Sequence, residues 1–412
     1  MKPLALRNVQ PCGYIQFFNR NRSHVSALLN LPLDVMNEVI KLMEPFEQIP
    51  FALLSKKMNT CVICSGSQIA DHCEVNFTDG NAVLKIPEVV EYSRKEISNW
   101  NDKTSIFSNF WPVNQKKLIS NTMKLIEKVQ MVFPKRTFSL TLHSNDLKNN
   151  DILDALLNKT WKKVTVNGGE LRAEDLDKVM EMDNLKKNFV FKNTSFPPNY
   201  RHKNAFKFAS IEYDDALWVQ IDDLLTLTDN QIVRLGQTSF KSQDLNLLLK
   251  TWQRSPHDMF EVLTLRNNEL NLEETFKDLV TLTVDYRFYQ NHHSVYLRVD
   301  NSNNHRDLPN LTANISGPII QMSAYNYEEL MDEPRIMKNL IRKKSLEDEL
   351  ATLNEGSARK DEINAEIENV MALLTPHEIY FEDGKAKTRG TKQSAVYMIT
   401  LYFKRFRAQR RV

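Results

Sequence analysis

Along residues 31–43, LPLDVMNEVIKLM, apolar side chains at Val35, Met36, Val39, Ile40 and Met43 return every three or four positions, the period of a helix face. Pro32 suits a helix start, where its missing N–H would be unpaired anyway, and Pro45 stops the run. A second amphipathic segment follows at 50–58, with Phe51, Leu54 and Met58 on one face and Lys56 and Lys57 beside it. Three short helices fit between residues 28 and 67. From 86 to 133 the pattern is helical and loop-like; the stretch 116–133 places Leu118, Met123, Ile126 and Val129 at helical spacing, so this part is expected to be a helical connector.

The period then changes. Short alternating runs at 137–142, 163–166, 188–191, 224–228 and 261–265 predict strands, and helical stretches at 151–157, 172–182 and 242–252 lie between them. Alternation of strand and helix predicts a parallel sheet. The first three strands begin about one strand plus one helix apart, which suggests an irregular, leucine-rich-repeat-like arc, although no asparagine-ladder motif is visible. The best-patterned unit is 239–265, in which Leu245, Leu248, Leu249 and Trp252 form an i, i+3, i+4, i+7 stripe, Ser242 is placed to cap the helix, and Ser255-Pro256 ends it.

Beyond it, 286–318 reads as edge strands with long loops. Residues 335–374 read as two charged helices joined near Gly356, with Leu346, Leu350 and Leu353 facing Ile363, Ile367 and Val370. Two terminal strands, 379–381 and 394–403, are expected around the Asp383-Gly384 turn signal.

Composition narrows the possible functions. With 54 Lys+Arg against 52 Asp+Glu, the net charge of +2 gives no overall field for a polyanion. Only 10 glycines occur, and no glycine-rich phosphate loop is present. No apolar run resembles a signal peptide or membrane span, and four cysteines are too few for a disulfide framework, so an intracellular setting, cytoplasmic or nuclear, is expected. Cys61, Cys64, His72 and Cys73 supply four possible zinc ligands, but adjacent His72 and Cys73 are hard to aim at one ion, and buried thiols are the simpler reading. His292, His293 and His305 read as loop residues. No nucleophile–base or paired-carboxylate arrangement stands out, so neither an enzyme nor a cofactor is expected. The basic tail, Lys404, Arg405, Arg407, Arg410 and Arg411, reads as a solvated end or a contact for an acidic partner.

The segment Leu31-Pro32, then Val35, Val39, Ile40 and Met43, then Phe51, Leu53, Leu54, Ser55, Lys56 and Lys57, resembles the F-box, a three-helix motif, and looks most like that of nematode F-box proteins. The block 240–265, with Asp244-Leu245-Asn246 and Lys250-Thr251-Trp252, is similar to the F-box-associated type 2 domain of those proteins. The charged hairpin and Thr388-Arg389-Gly390 depart from the family pattern.

The resemblance implies a non-catalytic substrate receptor of a Skp-cullin-F-box ubiquitin ligase. Leu31, Pro32, Val35, Val39, Ile40, Met43, Phe51 and Leu54 would meet a Skp-type adaptor, and the C-terminal part would hold a protein substrate at residues the sequence does not identify. The expected fold is α+β: an N-terminal extension (1–27), the F-box (28–67), the connector (68–134), a strand-helix repeat-like domain (135–285), and its C-terminal part (286–412) with the hairpin at 335–374. Neither a membrane nor a nucleic acid is an expected partner. The alternative is a repeat-type protein-binding scaffold independent of ubiquitin.

Overall fold

The structure, a computed structural model, describes residues 30–43, 48, 51–52, 55–65, 72–78, 81–86, 90–93, 118–132, 137–148, 152, 161–181, 188–267, 270–285, 292–299, 306–326, 332–354 and 357–389. The chain divides into two compact units, Met1–Val166 and Asn167–Val412.

In the first unit, helix α1 (Leu33–Leu42) begins where the Pro32 carbonyl accepts from Met36 N–H at 2.9 Å. Asp34 in its first turn and Lys41 in its last complement the helix dipole. Buried Gln48 closes the other end, its amide donating to the carbonyls of Ile40 (3.2 Å) and Met43 (3.0 Å).

Helix α2 (Lys56–Cys64) corrects the expected 50–58 helix. Ser55 is extended, and its Oγ accepts from Met58 N–H at 3.2 Å, so Ser55 is the N-cap that starts α2 and not helix interior. Phe51 and Ala52 are helical ahead of it. The described residues do not fix a count of three helices in this module.

The connector is less helical than its pattern suggested. Strands β1 (His72–Thr78), β2 (Asn81–Ile86) and β3 (Val90–Ser93) form an antiparallel set, Val75 facing Leu84 and Leu84 facing Tyr92. Cys73, Val75 and Phe77 are the buried face of β1, a period of two. Helix α3 (Leu118–Val132) leads to β4 (Thr137–His143), which pairs parallel with β1, giving the order β3-β2-β1-β4. The expected 151–157 helix lies outside the described residues except for Ile152, which is helical and buried.

Strand β5 (Lys163–Glu170) spans the division, and helix α4 (Ala173–Met180) follows. The second unit then runs β6 (Asn188–Ser195), β7 (Ser210–Asp215), helix α5 (Ile221–Leu225), β8 (Asn230–Gln237), α6 (Ser242–Arg254), β9 (Phe260–Arg266) and α7 (Leu272–Thr275). After them come β10 (Leu282–Asp285), β11 (His292–Arg298), β12 (Asn310–Ser316), β13 (Ile319–Tyr325), helices α8 (Glu333–Thr352) and α9 (Ala358–Leu374), and β14 (Tyr380–Glu382) with β15 (Lys385–Arg389). The strand order is β6-β7-β8-β9-β13-β12-β11-β10-β15-β14.

Strands β6 to β9 are parallel, but β13, β12, β11 and β10 continue the sheet antiparallel. This is not clearly a leucine-rich-repeat arc. No helix joins β6 to β7: Pro197 and Pro198 interrupt helical bonding, and Phe196, Tyr200, Phe206 and Phe208 fill the space instead. The Phe196 ring stacks on Trp218 at 4.9 Å and meets Tyr213 edge-on at 5.3 Å. Tyr213 donates to the Ala205 carbonyl (2.7 Å) and Tyr200 to Asp177 (3.1 Å); burial, foremost, pushes both phenols up, so they remain donors.

Two further expectations are corrected here. The run 224–228 is not a strand: Gln220 N–H donates to the Asp223 carboxylate at 2.9 Å and Thr226 Oγ1 to the Asp223 carbonyl at 2.8 Å, winding a helical turn, and left-handed Asp229 then turns the chain into β8. The 286–318 strands are not edges, since β11 lies between β10 and β12, and β12 between β11 and β13. In β8, only glycine fits at Gly236, because a Cβ there would collide with the Asp214 backbone carbonyl of β7.

Helix α6 carries the predicted stripe, with Leu245, Leu248, Leu249 and Trp252 fully buried. Its cap is Asp244, whose carboxylate accepts from Lys241 N–H at 2.7 Å; Ser242 instead accepts from Asn271 N–H at 2.9 Å, tying α6 to α7.

The helical hairpin α8–α9 packs its buried Ile336, Met337, Leu340, Leu346, Ile363, Val370 and Leu374 with Leu282, Val284, Tyr296 and Ala386 of the sheet. It is a cover for β10, β11 and β15. Arg359 on α9 pairs with Glu349 on α8 (3.0 Å) and with Glu366 of its own helix (3.3 Å), and Arg342 on α8 reaches Glu366 at 3.3 Å, exposed pairs that add little beside the apolar contacts. The terminal hairpin is β14–β15, turning through left-handed Asp383 and Gly384; the expected partner strand 394–403 lies outside the described residues.

Glu333, at the start of α8, is buried, and that burial raises its carboxyl, with Asp332 adding to the rise and His377 opposing it. Stability from a raised carboxyl is present below its unfolded value and lost as pH rises through the folded one. Glu333→Gln should therefore raise the thermal midpoint at about pH 7, and the gain should fade by about pH 3. Equal gains at both pH values in a melting series would show that ionisation is not the cause.

Candidate functional site

Six of the ten residues of α1, LDVMNEVIKL, are large and apolar, more than one buried face can use. Met36 and Ile40 take that face and are fully buried, alongside Phe51, Ala52, Met58, Cys61 and Val62. Three of the other four form a second stripe at i, i+4, i+7: Val35 (42% exposed), half-buried Val39 and Leu42 (88% exposed). Leu33 (52%) on α1 and Ile63 (40%) on α2 are also open. Asp34, Lys56 and the Glu38–Lys41 pair (2.7 Å) are exposed on the same two helices, so each helix shows open apolar side chains with charged neighbours, the composition of an interface with a polar rim.

The eight residues expected to meet an adaptor are therefore divided. Pro32 and Val35 are exposed, Leu31, Val39 and Met43 are half-buried, and Ile40 and Phe51 are sealed within the first unit. Leu54 lies outside the described residues. Leu33, Leu42 and Ile63 were missed, although the Val35–Val39–Leu42 spacing is itself a sequence signal for a second apolar face.

Cys61 and Cys73 are buried and Cys64 is exposed. Among the described residues no group of three or more His, Cys, Asp or Glu side chains could hold a metal ion. No described helix is long and apolar enough to cross a membrane.

In the second unit, the two faces of the sheet differ. Val233, Leu235, Leu263 and Leu265 are apolar and buried on one. On the other, one register row runs Glu212, Arg234, Thr264, Gln321, Asn314, Ser294 and Val284 across seven strands. Val284 lies in the core beneath the hairpin, whereas Glu212 to Asn314 are half-buried and polar, with Arg234 and Glu212 paired at 3.5 Å. Helix α6 is held to this sheet by Arg306, whose buried guanidinium lies 4.6 Å from the Trp252 ring, donates to the Trp252 carbonyl (2.6 Å) and pairs with Asp258 (3.1 Å). Burial lowers this guanidinium, and Asp258 counters the effect.

Comparison with curated proteins and with solved structures finds no match. Two family models do match: that of the F-box domain over residues 28–63, the segment bearing α1 and most of α2, and one described as F-box associated over residues 199–265, spanning β7 to β9. The chain thus carries an F-box domain in its first unit and an F-box-associated domain in its second.

Proposed function

We propose that this protein is the substrate-recognition subunit of a Skp-cullin-F-box ubiquitin ligase. The observation that carries the reading is the coincidence of the F-box match with solvent-facing apolar side chains on α1 and α2, a stripe of them on α1. Short helices that leave Leu42, Leu33 and Val35 open gain by packing on partner helices, the helix-in-groove mode of recognition. In this reading Pro32, Leu33, Val35, Val39, Leu42 and Ile63 meet the Skp-type adaptor directly, while Ile40 and Phe51 hold the helices that display them. The second unit, with its F-box-associated domain, binds a protein substrate. The subunit makes no bonds itself; it raises the effective concentration of substrate near the ubiquitin-carrying enzyme. It works inside the cell, where the adaptor and cullin are found.

The test is titration of the full chain with a purified Skp-type adaptor by calorimetry, with elution as one complex on size exclusion. Saturable one-to-one binding supports the reading. A folded chain that does not bind would leave a scaffold independent of ubiquitin as the better account.

A further inference from the structure

The docking helices have a support that lies outside the segment matching the F-box. Helices α1 and α2 have 10 and 9 residues, shorter than the ~12–15 at which isolated helices become even marginal in water, so their placement depends on what they pack against. Helix α2 buries Met58, Cys61 and Val62, at i, i+3 and i+4, with its buried C-cap Ser65 continuing the stripe at i+7, and packs against α1 and also against α3. Helix α3 buries Thr122, Ile126 and Val129 at i, i+4, i+7, and packs in turn against β2. Ile63, on the open side of α2, is next in sequence to buried Val62, so the roll of α2 against its supports decides where Ile63 points.

We propose that α3, through Thr122, Ile126 and Val129, is the positioning element for adaptor docking, and that the F-box helices are fused through it to the β1–β4 sheet. This rests on the ligase reading for its partner, but not for its packing. The consequence is rigidity: an adaptor seated on α1 and α2 is held in a fixed orientation to the β-layer of the first unit and does not swing on a tether. It also makes the matched segment 28–63 an incomplete docking module, because part of its core is supplied from more than fifty residues downstream.

The experiment compares full-length wild type, Ile126→Asp and Ile126→Leu, with the Skp-type adaptor as probe, and follows hydrogen exchange in α1, α2, β8 and β9. We expect Ile126→Asp to weaken adaptor binding by at least about tenfold and to speed exchange in α1 and α2, with β8 and β9 as slow as before. Ile126→Leu should restore both. Wild-type affinity and slow α2 exchange in Ile126→Asp would overturn the proposal and leave the ligase reading standing. If the wild type itself does not bind adaptor, the ligase reading fails, and α2 exchange alone decides the packing role. Should Ile126→Asp unfold the whole chain, Ile126→Ala takes its place: a smaller change of the same pattern supports the proposal, and none overturns it.

Discussion

Replacing Val35 and Leu42 together by aspartate will weaken capture of a Skp-type adaptor severely while leaving the chain folded. Both side chains are exposed, so neither charge enters the core that Met36, Ile40 and Phe51 form, and far-ultraviolet circular dichroism and thermal midpoint should stay close to wild type. In a complex the same positions would be desolvated, and an unpaired carboxylate there would oppose binding strongly. A loss of about 3 kcal/mol or more, roughly a hundredfold in Kd, is expected from the pair. Calorimetric titration reads this directly. Ile40→Asp provides the contrast, because its side chain is fully buried: it should lose binding and stability together. Wild-type affinity in Val35→Asp/Leu42→Asp would remove the α1 stripe from the interface, whatever other surface the adaptor used.

Trp252→Ala should be the most damaging single change in the second unit, destabilising it by about 3–5 kcal/mol. The indole is fully buried on α6 among the faces of Leu245, Leu248 and Leu249, and it carries the Arg306 guanidinium on its ring. Truncation leaves both a large cavity and a buried charge without its aromatic neighbour. Trp252→Phe tests which part matters. The indole N–H has no hydrogen-bond partner among the described residues, so phenylalanine forfeits volume but no hydrogen bond seen there and should cost only about 1–2 kcal/mol. Urea unfolding followed by circular dichroism would separate the two variants; a Phe variant as unstable as the Ala variant would show that the ring–guanidinium geometry, and not volume, is what counts.

Elements whose period was carried by their own side chains were legible in advance. The α6 stripe, the α8–α9 hairpin and strands β4, β5, β6 and β9 fall where the pattern put them. Strand β1 carries a period-two alternation of its own, Cys73, Val75 and Phe77, but so short a run next to helical patterns is a weak signal. The Leu224–Leu225–Leu227 cluster misled because apolar runs of that length fit strand and helix alike; Asp223, reaching back to Gln220, decided for helix. Ser55 was read inside a helix because its neighbours are good helix formers, and its hydroxyl favoured a cap instead.

By itself, then, the sequence determined strands β4, β5, β6 and β9, the helices α1, α6, α8 and α9 with their apolar faces, and the likeness to an F-box followed by its associated domain, because each rests on spacing within one short stretch. Tertiary structure alone decided which of those faces is buried, that the sheet turns antiparallel after β9, that β11 and β12 are interior strands, and that α3 stands behind α2. These depend on contacts between residues far apart in the chain, and no local period records which distant surface will cover a given face.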